Sequence, residues 1–101
     1  MGIDTSACLI WGVEANELEY DEEVWGGLYE YVEGMELDRA SPYYDSDIYD
    51  NIIGVPLGYA CTYGAREIDA ETLPEAISNA ASRFKELTGL EGRLYLSPHI
   101  T

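Results

Sequence analysis

A chain of 101 residues holds one domain, 1–101, with room for a single modest core. Its 47% hydrophobic and 12% aromatic content argues against an unfolded acidic tail, because such tails are poor in both. Twenty acids against five bases leave a net charge of -15, which disfavours DNA, RNA and anionic membranes as direct partners.

In chain order, TSACLIWGV (5–13) reads as the first strand. Ala7, Leu9, Trp11 and Val13 lie on one face and Cys8 and Ile10 on the other, so both faces are apolar and the strand is central. Asn16 or Asp21 then offers a helix cap, with Glu22 and Glu23 in the first turn. Val24, Trp25, Leu28, Tyr29, Val32 and Met35 recur at helical spacing, which predicts a helix over 21–35. Gly26-Gly27 costs that helix roughly 1 kcal/mol per glycine against alanine, and a hairpin turning on the two glycines is the rival. Ser41-Pro42 marks a break, and SPYYDSDIYDN (41–51) reads as a surface loop.

IIGVPLGYA (52–60) is the next strand, its Pro56 fit only for an edge or a bulge. Thr72-Leu73-Pro74-Glu75 has the form of a capping box with proline in the first turn. Leu73, Ala76, Ile77, Ala80, Ala81, Phe84 and Leu87 follow as an amphipathic stripe, and Gly89 ends it. RLYLS (93–97) closes the domain as a last strand. The expected fold is α+β: a small antiparallel sheet of three to four strands with two helices packed on one face, for which a compact ferredoxin-like variant fits the order.

Chemical motifs are scarce. Asp45, Asp47 and Asp50 form D-x-D-x-x-D, but an EF-hand loop wants glycine sixth and glutamate twelfth, where Asp50 and Pro56 stand. The bland reading, a solvated turn whose aspartates satisfy backbone groups, is favoured. His99, the lone histidine, lies two residues from the end, and Cys8 and Cys61 sit in apolar runs that mark buried thiols. A pairing between the two cysteines stays open. With no P-loop, no G-x-G-x-x-G and no metal-spaced Cys or His set, no cofactor, metal or catalytic activity is expected. Met1 to Ser6 matches the loose N-myristoylation pattern, yet no basic patch supplies a second anchoring signal. No basic segment precedes an apolar run and no stretch reaches the length of a membrane span, so a cytoplasmic protein is expected.

The charge is unevenly placed. Residues 14–50 carry thirteen acids against Arg39 alone, a net -12, whereas residues 51–101 carry six acids and four bases, a net -2. Six of the nine tyrosines, among them Tyr43, Tyr44 and Tyr49, share the acidic half. Two readings follow. In one the acids are a solvated face that keeps an oligomerising structural or regulatory protein soluble, and the tyrosines cover the core. In the other, Glu19, Asp21, Glu22, Glu23, Glu30, Glu33, Asp45, Asp47 and Asp50 imitate phosphates, while Tyr43, Tyr44 and Tyr49 anchor the contact. The partner would be a protein with a basic nucleic-acid-binding groove, found quickly through electrostatic steering. In size, acidity and texture, through ELEYDEE and YYDSDIYD, the chain resembles phage-encoded nucleic-acid-mimic inhibitors of the anti-CRISPR and anti-restriction type. That resemblance implies a non-enzymatic inhibitor of a host defence nuclease or surveillance complex.

Overall fold

Alternation of apolar side chains on both faces makes residues 5–14 the centre of the sheet. In the computed structural model, which describes residues 5–41, 48, 51–61 and 67–100, the chain begins with β1 (Thr5–Glu14). A 3-10 turn at Ala15–Glu17 leads to α1 (Glu22–Trp25) and α2 (Leu28–Gly34). Then come β2 (Asp38–Ala40), β3 (Ile52–Cys61), α3 (Leu73–Thr88) and β4 (Arg93–Ile100). The strands pair antiparallel throughout, in the order β2-β3-β1-β4. Together with the order of elements along the chain, this is the arrangement of a ferredoxin-like βαββαβ fold, with β1 and β3 central.

Both helical segments cover the same face. Phe84 of α3, 0% exposed, meets Val13 of β1, Ile53 of β3, and Leu28, Tyr31 and Val32 of α2 in one buried cluster. Burying a phenylalanine alone stabilises by about 1.5–3 kcal/mol. Within the α3 stripe only Ala80 and Phe84 are fully buried; Leu73, Ile77 and Leu87 are half-buried. The opposite face is smaller, with Ile10, Ala40 and Ile52 buried and Cys8 and Tyr95 packed against them. It is also concave. β2 and β4, at opposite edges, come within 8 Å of one another, whereas three flat inter-strand steps would hold them roughly 14 Å apart.

The roll is permitted by a glycine pair. Gly12 of β1 stands opposite Gly54 of β3, and a methyl group on Gly12 would lie 2.7 Å from the Gly54 Cα and closer still to the Ile53 carbonyl oxygen. Pro56 lies beyond the last residue that β2 pairs, Gly54, and next to a bulge that sets residues 57–59 against Leu9 alone. Its missing N–H therefore costs no ladder bond to β2.

Three local expectations are corrected. The single helix over 21–35 is two short ones, because Gly26 adopts φ +91 and ends α1. Asp21 caps α1, its carboxylate accepting from the Glu23 amide at 2.9 Å. The Thr72–Glu75 capping box does not form. The Asp69 carbonyl oxygen accepts from the amides of Thr72 and Leu73 and from the Thr72 hydroxyl, so an Asp69-led turn enters α3 instead. Finally, β2 was not anticipated within 36–40, being too short for its alternation to register. Gly89 does end α3 in the left-handed region, at φ +78.

Candidate functional site, an acidic helical layer

Between β1 and β2 the apolar spacing is broken at Gly26, and aromatic packing joins the two parts. Tyr31 of α2 is buried; Tyr20 stacks on its ring at 5.2 Å between centroids, and Trp25 of α1 meets it edge-on at 5.5 Å. Such pairs add about 0.5–1.5 kcal/mol beyond the area they bury. The Trp25 ring also lies over Gly34, where a methyl group would collide with it. These contacts pin α1 to α2 and fix which sides of both face outward.

What faces outward is acidic. Glu19, Asp21, Glu22, Glu23, Glu30 and Glu33 are all exposed. Among the described residues none of the six is in an ion pair, and the described bases are committed elsewhere. Arg83 pairs with Glu36 at 3.8 Å, Lys85 with Glu91 at 2.6 Å, and Arg93 with Glu17. Arg39 donates to the Tyr29 hydroxyl at 2.7 Å, and its guanidinium sits 4.6 Å from the centre of that ring. Six of the twelve residues expected at the contact are thus brought onto one layer. The other six, Tyr43, Tyr44, Asp45, Asp47, Tyr49 and Asp50, lie outside the described residues, as does the D-x-D-x-x-D stretch.

Two features of the layer escaped the sequence. Val24, counted in the apolar stripe, is 71% exposed and stands beside Glu22 and Glu23. Helical spacing loses its meaning once Gly26 interrupts the helix: Trp25 turns inward onto Tyr31 and Val24 turns outward. Tyr29, counted in the same stripe, is 46% exposed and clasps Arg39. Tyr29 and Arg39 help line a pocket of about 130 Å³ with Val32, Glu33, Leu37, Asp38 and Ile48. Only the position of Arg39 as the one base in the acidic half hinted at it.

The remaining chemistry is structural. Glu17 accepts from the Glu14 amide at 2.9 Å and from Arg93, and the Arg93 bond is the main cause that holds its carboxyl below the usual range. Arg93 also donates to the Tyr95 hydroxyl at 2.9 Å, so this cluster fastens the 3-10 turn to the start of β4. Burial, helped by the charge of Asp38, pushes the Cys8 thiol up, which makes it a poor nucleophile at neutral pH. Cys8 is a free thiol; its partner in the ladder is Ala60, and Cys61 stands opposite Ala7. Among the described residues no three His, Cys, Asp or Glu side chains are grouped to hold a metal ion, and no helix is long and apolar enough to cross a membrane. No protein-family model, curated protein or solved structure matches the chain.

Proposed function

We propose that this protein is a non-enzymatic inhibitor, carried by a phage or mobile element and acting in the host cytoplasm. It occupies the basic nucleic-acid-binding groove of a host defence nuclease or surveillance complex, in the manner of anti-CRISPR proteins. The observation that carries the reading is the set of six exposed carboxylates, none in an ion pair among the described residues, on a layer pinned by aromatic packing. Carboxylates held on a packed scaffold can stand in for phosphates without the ordering cost that a flexible acidic tail would bear on binding. The excess charge serves encounter: a net -15 raises the rate at which a basic groove is found.

Val24 supplies an apolar contact amid the acids, and the role expected of exposed tyrosines falls in the described half to Tyr29. Tyr20 and Tyr31 belong to the packing beneath. Capture of a host protein at low salt, followed by its release with added DNA or RNA, tests the proposal. Release by nucleic acid in competition supports it. A ternary complex, in which nucleic acid and inhibitor sit on the partner together, contradicts it.

A further inference from the structure

Arg39 is the one base between residues 14 and 50, yet among the described residues no carboxylate pairs with it. Tyr29 holds it instead: the guanidinium lies against the face of the ring and donates one N–H to the hydroxyl. A guanidinium carries five N–H donors in a planar fork, so most of them are left for another acceptor.

Arg39 lines the pocket of about 130 Å³ between α2 and β2, and so does Glu33. Both side chains are exposed, and the two make no ion pair with each other although they share this small space. Asp38 adds no second carboxylate there. Arg39 is opposite Ile53, which faces the helices, so its neighbour Asp38 points to the other side of the sheet, where its charge acts on Cys8. Below the two charges the pocket is apolar: Val32 and Leu37 are buried, Ile48 is half-buried, and Tyr29 forms a wall. A cavity of about 150 Å³ holds a benzene molecule, so this one has room for a branched aliphatic side chain.

We propose that this pocket binds a free α-amino acid with an apolar side chain. Its carboxylate meets the open side of the Arg39 fork, a geometry that allows two parallel hydrogen bonds. Its ammonium group faces Glu33, and its side chain covers Val32, Leu37 and Ile48. A positive and a negative group held apart over an apolar floor match a molecule that carries both charges beside one apolar stem. The charge of the whole chain favours the same choice. A net -15 repels a plain anion and leaves a zwitterion unopposed, while a plain cation would meet Arg39 beside the acid that attracts it. The site does not depend on the acidic layer having a protein partner.

A titration of the full chain, followed by the Tyr29 ring and Ile48 methyl resonances, tests the proposal with three probes. Leucine carries both charges, leucinamide lacks the carboxylate, and isocaproate lacks the ammonium group. Leucine should bind saturably, and each of the other two should bind about tenfold more weakly or worse. Arg39→Gln should weaken leucine by a similar factor and leave leucinamide as it is with the wild type. Glu33→Gln should weaken leucine likewise and leave isocaproate unaffected. No saturable binding of leucine up to its solubility limit overturns the proposal. So does leucinamide binding tighter than leucine, which would make the pocket a trap for cations.

Discussion

The sheet with α3 and the helical layer between β1 and β2 share one buried cluster, yet they are held by different means. In the first, alternation along β1 and β3 and the spacing of Ala80 and Phe84 place side chains by periodicity, and the glycine pair at 12 and 54 lets the strands close. In the second, two helices of four and seven residues are too short to be stable alone, and a stack of Tyr20, Tyr31 and Trp25 holds them. The difference separates the duties of the two regions. A layer fastened to the core by Leu28, Tyr31 and Val32 and to itself by aromatic contacts leaves its outer surface free of packing demands, and there six carboxylates collect with no ion pair among the described residues.

Substitutions in the two regions should rank accordingly. Gly12→Ala should have the largest effect, above about 4 kcal/mol, because the new methyl group meets backbone of the central strand pair and no flexible side chain can give way. Urea titration should find the variant largely unfolded without denaturant. Phe84→Ala should cost about 3–5 kcal/mol in the same titration, the price of a cavity at a fully buried site. In the helical layer, Gly26→Ala places a side chain in open space but at φ +91, and should cost only about 1–3 kcal/mol. An effect as large as that of Gly12→Ala would mean that the helical layer is as tightly determined as the sheet.

Glu17 joins the two regions, and its contribution depends on pH. Its carboxyl is held below the ordinary range in the folded state, mainly by Arg93, so the contact stabilises the fold at neutral pH and is lost as pH falls through the carboxylate range. Wild type should be more stable than Glu17→Gln at pH 7, and the gap should close on acidification. A gap that persists at pH 2 would contradict the assignment. The smallest effect belongs to Val24→Ala, within about 0.5 kcal/mol, since the side chain is exposed.

How legible each part was in the sequence follows from the same contrast. β1, β3 and α3 were readable because each buries a regular pattern: Leu9, Trp11 and Val13 alternate, and Phe84 and Leu87 repeat along one stripe; β4 was readable as a short apolar run, though its leucines are exposed. Even the irregularity at Pro56 was readable, since a residue without an N–H has few places in a sheet. The split of residues 21–35 was not, because the local cost of two glycines does not say whether a helix bends, breaks or gives way to a hairpin. The outward turn of Val24 and Tyr29 follows from that break and was hidden with it. Of the candidate site, the six carboxylates were visible as composition. Their freedom from ion pairs among the described residues was not, because Arg83, Lys85 and Arg93 lie far along the chain and fold toward other acids.

The most direct test of the acidic layer is the salt dependence of binding to the captured partner, measured for the wild type and for two charge-reversed variants. Glu22→Lys, Glu23→Lys and Glu30→Lys together change the layer; Glu75→Lys and Glu86→Lys change exposed acids of α3 and serve as the control. If the layer stands in for phosphates, wild-type affinity falls steeply with added salt, as contacts to basic side chains are screened over about 8 Å at physiological ionic strength. The triple reversal then removes both the binding and its salt dependence, while the α3 variant keeps both. Wild-type binding that ignores salt and survives the triple reversal would reduce the acidic layer to a solvated face and end the account of charge mimicry.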